Sequence, residues 1–434
     1  MLFRSFTAAV TPPHYTIRIL DENVAPFRFQ KADIVGITAY TSSVNRAYQI
    51  CRQYRRQGIT TVMGGIHASM LPDEALAHCD AVVTGEAEEI WPQVLADFEN
   101  GRLARRYDGE PVDLARLPLP RRDLLPQRRY RWGSLQTSRG CPMDCAFCSV
   151  SAFNGRRFRR RPLDAVLEEL DQIPQRLVMV ADDNLVGYGE ADRQWAFGFF
   201  EALARRRCRK YFFIQASLQI GADQKLLDMA AAAGVRILFV GLESINPASL
   251  AAYDKQVNLR HLQHHDYGQL VGNIRRSGIA CLGAFVLGGD EEHREVFDDT
   301  LDFIRRARID ILQVTKPTPL PGTRLWRQLD EAGRILSRNF PADWDDYRLT
   351  KLVFKPARMS IEEVYQGFTG LREHYYRPIE TLRRTWRTLR DTRSPVATAL
   401  AFLINRSYAK AFRESDHYRR YRGTEMASGS ARRG

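Results

Sequence analysis

Apolar and polar stretches alternate regularly along the first part of the chain. Short apolar runs predict strands of a first unit: residues 16–24, 32–40, 60–68 and 80–89. The segment 45–58 carries apolar residues at helical spacing and ends at Gly58, which predicts an amphipathic helix. Because strands that alternate with helices form parallel sheets, we expect a doubly wound α/β domain over residues 1–105. Its ligands would bind at the carboxyl ends of the strands.

A segment rich in proline and arginine, residues 106–130, interrupts this pattern, and we interpret it as a linker. The strand–helix alternation then resumes over residues 131–335. Six apolar segments predict its strands: residues 134–139, 176–183, 211–217, 236–244, 280–289 and 310–319. Six such units predict a partial (β/α)6 barrel of the TIM type, whose active site lies at the C-terminal ends of the strands.

The remainder of the chain has a different character. Residues 336–415 are mostly helical by pattern and rich in arginine, and the polar segment 416–434 is expected to be disordered. The longest apolar run, residues 395–404, is about half as long as a membrane span. The N-terminus does not have the form of a cleavable signal peptide. We therefore expect a cytoplasmic protein.

Composition adds two constraints. The net charge is +13, which suits nucleic acid, anionic lipid or phosphorylated substrates, but the arginines are scattered and no RNA-binding motif accompanies them. A solvated arginine-rich surface is the simpler interpretation. The basic, amphipathic C-terminal region could contact an anionic membrane surface, or it could be an ordinary helical cap. Seven cysteines in a chain of this size favour metal or redox chemistry over disulfides.

Three of these cysteines lie close together in the sequence RGCPMDCAFCSV, at Cys141, Cys145 and Cys148. A closed zinc site uses four ligands, and an iron–sulfur cube also commonly has four cysteines. Three thiolates would leave one iron of a [4Fe–4S] cluster open to a small molecule, and Phe147 would help to shield the cluster. A zinc knuckle or a chance cluster of cysteines is the alternative.

Polar residues follow several of the predicted barrel strands. They are Asp182, Asp183, Asn184, Gln215, Ser217, Glu243 and Ser244. Because barrel strands present their carboxyl ends at one rim, we expect these side chains to lie near the cysteines. Helix capping and solvated surface carboxylates are the simpler alternatives for Asp182, Asp183 and Glu243.

The spacing CxxxCxxC, with an aromatic residue before the last cysteine, resembles the signature of the radical S-adenosylmethionine family. This resemblance implies a [4Fe–4S] cluster on Cys141, Cys145 and Cys148, whose open iron chelates S-adenosylmethionine. Reductive cleavage then gives a 5′-deoxyadenosyl radical that abstracts a hydrogen atom from the substrate. The resemblance implies that Asp182, Asp183 and Asn184 contact the methionine amino group of S-adenosylmethionine, Glu243 the ribose and Gly288 the adenine. Phe147, Gln215 and Ser217 are the other expected contacts.

Residues 318–336 and 343–364 resemble the tail of one branch of that family, and the whole resemblance covers residues 15–380. This branch, which includes the anaerobic magnesium-protoporphyrin monomethyl ester cyclase and the hopanoid methylases, has a Rossmann-like cobalamin-binding domain at its N-terminus. The resemblance implies that cobalamin binds beside Thr38, Ser42, Ser43, Gly64, Gly65, His67, Gly85 and Glu86.

Two features depart from this pattern. The DxHxxG motif that supplies a cobalt ligand in many cobalamin domains is absent, so we expect His67 to line the site as a loop residue. The first strand of the domain is also missing, and only the remnant FTAAVTPP stands in its place.

The leading interpretation is a cobalamin-dependent radical enzyme that methylates an unactivated carbon of a large apolar or natural-product substrate. A cyclase or rearrangement enzyme acting on a tetrapyrrole or lipid without methyl transfer is the alternative. A non-catalytic carrier would not need both the cysteines and the polar strand ends, and the helical tail argues against a nucleic-acid modifier. The expected partners are a small-molecule or lipid substrate, a reductant such as flavodoxin or ferredoxin, and a peripheral membrane contact.

Overall fold

The computed structural model describes residues 2–264 and 266–415, so the predicted disordered tail, 416–434, lies outside the described residues. Four parallel strands, in sequential order, form the first sheet: β1 (Ile34–Thr38), β2 (Thr60–Gly64), β3 (Ala81–Gly85) and β4 (Arg106–Gly109). Five helices accompany them: α1 (Leu2–Ala9), α2 (Val44–Arg55), α3 (Ile66–Met70), α4 (Pro72–Leu76) and α5 (Trp91–Glu99). Met63 faces the core formed with α2, and Val62 faces the core formed with α5. Both faces of the sheet are therefore covered, as predicted.

Three predictions about this unit need correction. Residues 16–24 form no strand, because β1 is the outermost strand among the described residues and nothing pairs with its free edge. No strand precedes Ile34 in the described part of the chain, and the first half of the presumed remnant, residues 6–9, belongs to helix α1. The linker is not wholly irregular, because its first residues form β4, which pairs with β3.

All six predicted strands of the second unit are present, and they form one parallel sheet in the order β12–β11–β10–β9–β8–β5. These strands are β5 (Trp132–Leu135), β8 (Leu177–Val180), β9 (Tyr211–Ala216), β10 (Val235–Glu243), β11 (Ala280–Val286) and β12 (Ile311–Thr315). Every residue of β11 is buried, as expected for a strand covered on both faces. Two short strands, β6 (Ser138–Arg139) and β7 (Arg159–Arg160), form a separate antiparallel pair.

Eight helices of the described chain lie between these strands, and a ninth follows the last of them. They are α6 (Ser149–Asn154), α7 (Leu163–Asp171), α8 (Glu190–Arg205), α9 (Gln224–Ala232), α10 (Pro247–Ala252), α11 (Gln256–His264), α12 (Tyr267–Arg276), α13 (Val296–Ala307) and α14 (Arg324–Glu331). This sequential parallel order is that of a partial (β/α)6 barrel, so the predicted fold class is confirmed.

The C-terminal region is helical, with α15 (Ile361–Tyr375), α16 (Pro378–Thr392) and α17 (Pro395–Arg413). Helix α17 packs through Ala397 and Leu400 against the first residues of β11 and β12. Successive strand residues point to opposite faces of a sheet. Ala280 and Leu282 of β11 contact α17, whereas Cys281 faces the core formed with α12 and α13, so α17 covers the other face of the barrel sheet. Within the described residues, no helix is both long enough and apolar enough to cross a membrane.

Candidate functional site

The cysteine loop leaves the barrel between the short strands β6 and β7. Gly140 begins the loop with φ of +86°, and a Cβ atom there would lie 2.2 Å from the carbonyl oxygen of Arg157. Only glycine fits this position without displacing the backbone. The amide of Cys141 donates to the carbonyl of Gly155 at 3.3 Å, and the amide of Cys148 donates to that of Cys145 at 3.0 Å. The pairing of β6 with β7 and these bonds hold the three thiols on one compact loop.

Contacts from later barrel segments fix this loop in place. The amide of Ala146 donates to the carbonyl of Tyr253 at 3.0 Å, and the amide of Leu325 donates to that of Ala146 at 2.8 Å. The ring of Phe147 meets that of Tyr253 edge-on, with 5.3 Å between centroids. Phe147 thus packs beside the cysteines, where a shielding residue is expected.

Burial governs the chemistry of two of the thiols. It raises the pKa of Cys145 and raises that of Cys148 to about 12. Buried thiols of this kind are inert at neutral pH unless a metal displaces their protons. Among the described residues, no three Cys, His, Asp or Glu side chains surround a single metal position.

Asp182, the first carboxylate after β8, is fully engaged within the protein. The backbone amides of Thr137 and Ser138 donate to it at 2.7 and 3.2 Å, and both of their hydroxyl groups donate as well. It is 3% exposed. Asp182 therefore anchors the segment that leads into the cysteine loop, and it has little capacity left for a ligand.

Asp183, in contrast, has no hydrogen-bond or ion-pair partner for its carboxylate within the described residues. Burial and the neighbouring charge of Asp182 raise the pKa of Asp183 to about 6. The surrounding amides are engaged: Gln215 donates to the carbonyl of Asp183 at 3.1 Å, and Asn184 accepts from the amide of Ser217 at 3.2 Å. The Ser217 hydroxyl is buried without a partner. A buried carboxylate without a partner suits a ligand that carries an ammonium group.

Glu243 ends β10 in an unusual conformation. Its φ is +63°, in the left-handed region that side chains other than glycine rarely adopt. Its carboxylate accepts a bond from Lys255 Nζ at 2.8 Å. Burial alone would lower the pKa of Lys255, but Glu243 and the thiol of Cys145 outweigh it and raise that pKa. Backbone strain at a strand end and a buried ion pair beside the cysteines are features of a functional site.

Gly288 and Gly289 form a turn after β11, and the buried carboxylate of Glu292 accepts hydrogen bonds from it. Their amides donate to Glu292 at 2.7 and 3.2 Å, and Ser244 and Ser249 donate to its other oxygen. A Cβ atom at Gly289 would lie 2.1 Å from the hydroxyl of Tyr253, which is buried without a hydrogen-bond partner. The turn lies at the carboxyl end of a barrel strand, as Asp183 and Glu243 do, and the Tyr253 hydroxyl lies beside it.

The loops of the first sheet divide the predicted cobalamin contacts into two sets. Thr38 and Ser43 are exposed and Ser42 and Gly64 are half-buried at the carboxyl ends of β1 and β2. These residues are available to a ligand. Gly65 has φ of +88°, and a Cβ atom there would lie 2.3 Å from the Thr38 hydroxyl. The fold itself therefore requires glycine at position 65, whether or not a ligand binds there.

His67 is enclosed by other side chains. Its ring is 0% exposed; Nδ1 lies 3.2 Å from the hydroxyl of Thr41, and Nε2 lies 3.2 Å from Glu74 and 3.3 Å from the hydroxyl of Tyr48. Trp344 also donates to Glu74, at 2.9 Å. Both ring nitrogens are thus engaged, and the cluster ties the first unit to the segment that precedes α15.

Gly85 and Glu86 also serve internal contacts. A Cβ atom at Gly85 would lie 2.1 Å from the carbonyl of Gly109. Glu86 accepts bonds from Arg139, at 3.0 Å, and from Arg159. Arg139 also donates to Glu88 at 2.6 Å, and Arg139, Glu86 and Glu88 are all buried.

This buried ion-pair group joins the two units. Glu86 and Glu88 follow β3 of the first sheet, whereas Arg139 lies two residues before Cys141. Helix α3, which follows β2, packs against α6, which follows Cys148. The carboxyl edge of the first sheet therefore borders the cysteine loop of the barrel.

Sequence reasoning did not identify four residues of this site: Tyr188, Lys255, Glu292 and Arg139. The hydroxyl of Tyr188 lies 3.0 Å from Cys141 Sγ. Arg139 could have been noticed because it lies next to the cysteine motif. The other three lie in loops, and no local sequence signal marks them.

Three regions of the chain match known domain families. Residues 135–304 match the Radical SAM superfamily, residues 10–95 match the B12 binding domain, and residues 323–415 match a domain of unknown function (DUF4070). The first match covers most of the barrel, and the second covers most of the first sheet. The resemblance stated from the motifs is thereby confirmed.

Two named methyltransferases and one solved structure match this chain over most of their own length. The bacteriochlorophyllide d C-12(1)-methyltransferase of Chlorobaculum tepidum is 28% identical over 87% of this chain and 82% of its own. The hopanoid C-2 methylase of Rhodopseudomonas palustris is 27% identical over 76% of this chain and 64% of its own. The solved structure of the radical S-adenosylmethionine methyltransferase TsrM from Kitasatospora setae, with tryptophan and a SAM analog, matches 92% of this chain and 89% of that chain. The TM-score is 0.67 at 17% identity, which shows a shared fold.

Proposed function

We propose that this chain, which combines a B12-binding domain with a radical SAM domain, is a cobalamin-dependent radical S-adenosylmethionine enzyme that methylates an unactivated carbon. One observation carries the proposal. The loops after β2 and β3 of the first sheet border the cysteine loop, through α3 and through the buried ion pairs of Glu86 and Glu88 with Arg139. Two cofactors held by these loops would adjoin a common space, as transfer of a methyl group to a carbon radical requires.

The residues present fit the cofactors. Cys141, Cys145 and Cys148 would hold the cluster, and Thr38, Ser42, Ser43 and Gly64 would border the cobalamin. When bound, the cluster supplies the electron that cleaves S-adenosylmethionine to a 5′-deoxyadenosyl radical, and cobalamin supplies the methyl group.

The remaining side chains orient and shield these groups. Asp183 would hold the ammonium of S-adenosylmethionine, because its carboxylate has no other partner among the described residues. Glu243 would accept hydrogen bonds from the ribose hydroxyls. Lys255 pairs with Glu243 in this structure, and in the complex it would instead meet the ligand's carboxylate. Phe147 and Tyr253 would exclude water from one side of the cluster.

The acceptor and the electron donor belong to the same proposal. Relatives named as methylases of hopanoids and bacteriochlorophyllides support a large, apolar small-molecule acceptor. An external reductant of the flavodoxin or ferredoxin class would reduce the cluster. Peripheral membrane contact is a separate proposal, argued below from the surface of α16.

The fate of S-adenosylmethionine tests this function before the acceptor is known. The chain, reconstituted anaerobically with iron, sulfide and hydroxocobalamin and reduced with dithionite, should release both 5′-deoxyadenosine and S-adenosylhomocysteine. S-adenosylhomocysteine should disappear when cobalamin is omitted. Release of 5′-deoxyadenosine alone, whatever cobalamin is supplied, would contradict methyl transfer and favour a cyclase or rearrangement enzyme. A Cys145→Ala variant should release neither product.

A further inference from the structure

Helix α16 exposes apolar side chains and buries polar ones, which is the reverse of the usual surface helix. Its exposed apolar residues are Ile379, Leu382, Trp386 and Leu389, at 53%, 63%, 60% and 43% exposure. Their spacing of three, four and three residues places them on one face, which we call the α16 stripe. Thr388 and Thr392, on the other side of the helix, are buried.

The α16 stripe is distinct from the rest of the surface. Of the twelve large apolar side chains exposed in the described part of the chain, four lie on this helix. Most of the others occur singly, as is normal for soluble proteins. A continuous apolar stripe that reaches solvent indicates a surface used for contact.

Helix α16 also carries arginines, and two of them, Arg384 and Arg387, have no acidic partner within the described residues. Arg383 and Arg390 have local acidic partners, but Arg387 has no hydrogen-bond or ion-pair partner in residues 2–264 and 266–415. Arg387 and Arg384 line a cavity between α13 and α16, and the other titratable residues lining it are Arg275, Arg305, Arg308, His374 and Glu380. Arg384 stacks on Tyr375 at 3.7 Å, and its Nε atom is buried without a partner. Arg275, Arg305 and Arg308 are paired with Asp310, Asp302 and Asp391, respectively. The positive charge of the cavity without an acidic partner is therefore that of Arg384 and Arg387, and it favours an anion.

We propose that α16 docks the enzyme on an anionic lipid surface, with the α16 stripe in the headgroup region and the neighbouring arginines against lipid phosphates. Apolar side chains that include a tryptophan, bordered by arginine, are typical of helices that lie in the membrane interface. A second copy of the chain is a poorer occupant. A twofold interface would bring the same patch of each copy together, and the arginines of both would then face each other.

The location of α16 makes this contact compatible with catalysis. The hydroxyl of Thr388 donates to Asp310, which immediately precedes β12, at 2.6 Å. Helix α17, which follows α16, packs against the first residues of β11 and β12. The stripe thus belongs to the end of the barrel opposite to the cysteine loop. The proposal assigns a role to part of the region that matches a domain of unknown function, and it holds whether or not the proposed reaction is correct.

Vesicle binding by the full-length reconstituted chain tests the apolar contact. The protein should sediment with phosphatidylglycerol vesicles, stay in solution with phosphatidylcholine vesicles, and be released by salt. Leu382→Ser should weaken binding about tenfold, because it removes one large apolar side chain from the interface. Leu336→Ser is the matched control, since Leu336 is 50% exposed and lies outside α16; it should leave binding unchanged.

A second pair of variants tests the charge. Arg387→Gln should weaken binding to phosphatidylglycerol about fivefold, as expected for loss of one basic residue near an anionic surface. Arg56→Gln, which removes an exposed arginine from the first unit, should not weaken it.

Three results would overturn the proposal. They are absence of binding to anionic vesicles, equal binding to both lipid compositions, and equal loss of binding in the α16 variants and their controls. Self-association of the wild-type chain that Leu382→Ser abolishes, without vesicle binding, would instead make the stripe an interface between copies. None of these measurements depends on enzymatic turnover, so failure here is distinguishable from failure of the proposed function.

Discussion

At the scale of single residues, Asp182 and Asp183 are adjacent in sequence but differ in what surrounds their carboxylates. Four donors from Thr137 and Ser138 satisfy Asp182, whereas Asp183 has none within the described residues. Burial then raises the pKa of Asp183 to about 6. The two residues should therefore respond differently to substitution and to pH.

Binding of S-adenosylmethionine should depend on ionisation of Asp183. Asp183 is charged at pH values above its raised pKa. The affinity for S-adenosylmethionine should therefore be highest near pH 8 and fall as the pH drops through about 6. Asp183→Asn should bind more weakly and lose this pH dependence. Equilibrium dialysis with labelled S-adenosylmethionine measures both, with cluster absorbance recorded at each pH as a control. An unchanged pH profile in the variant would show that another group holds the ammonium.

Asp182→Asn should act on stability instead. The amide would lose charged hydrogen bonds and leave buried donors unsatisfied, at a cost of about 3 kcal/mol. Urea denaturation of the variant measures this cost.

Glu243→Gln should weaken binding of S-adenosylmethionine about tenfold, because a neutral amide accepts weaker hydrogen bonds from the ribose hydroxyls. Iron content should not change. The control is Glu201→Gln, which neutralises a carboxylate on the exposed surface of α8 that pairs only with Arg205. Equal affinity in wild type and Glu243→Gln, measured by titration calorimetry, would exclude the ribose role.

Tyr188 should tune the cluster through Cys141. A hydroxyl that donates to a ligating sulfur stabilises the reduced, more negative cluster and raises its reduction potential. Tyr188→Phe should therefore lower the midpoint potential in a redox titration followed by EPR, with iron content unchanged. Tyr130→Phe, in the linker between the units, is the control. An identical potential in Tyr188→Phe would show that this bond does not persist when the cluster is bound.

The sequence indicated which residue types surround the site, but not how each is used. Aspartates, glutamates and serines at strand ends are visible in the sequence because apolar strands precede them. Whether a carboxylate is free depends on donors far away in the chain, such as Thr137 for Asp182 and Arg139 for Glu86. His67 is a further example, because its partners Tyr48 and Glu74 come from other helices.

At the scale of elements, the six barrel strands could be predicted because parallel strands covered on both faces read as continuous apolar runs. The strand predicted at 16–24 failed for a different reason: its alternating pattern suits a strand, but no neighbour pairs with it. The polar sequence of β4 (Arg106–Gly109) shows the converse, since pairing with β3 makes it a strand. Edge strands depend on their neighbours more than on local sequence.

The ion pairs between the units allow a prediction at this scale. Arg139→Gln should lower the free energy of unfolding by about 3 kcal/mol, because it leaves buried Glu88 without its cation and weakens the pairing of Glu86. Arg102→Gln is the control, since Arg102 is 70% exposed in its pair with Asp97 and should matter far less. Anaerobic urea denaturation followed by circular dichroism measures both. Equal stabilities would show that the ion pairs do not hold the units together.

At the scale of the whole molecule, the first sheet contacts the barrel through the loops at the carboxyl ends of its strands. The carboxyl ends of the first sheet border the cysteine loop, and helices α16 and α17 lie at the opposite end of the barrel. The order of the two units along the chain was predictable from their alternating patterns. Their relative placement was not, because it depends on buried contacts such as those of Glu86, Glu88 and Trp344.

The most direct test of the central claim is a metal count on the full chain. After anaerobic reconstitution with iron, sulfide and hydroxocobalamin, followed by desalting, the chain should retain about four irons, the content of one cube, and cobalt in equimolar amount. Cys145→Ala should lose the iron. Iron retained without cobalt would contradict a cobalamin site on the first sheet, and intact iron–sulfur absorption in Cys145→Ala would contradict the cluster assignment.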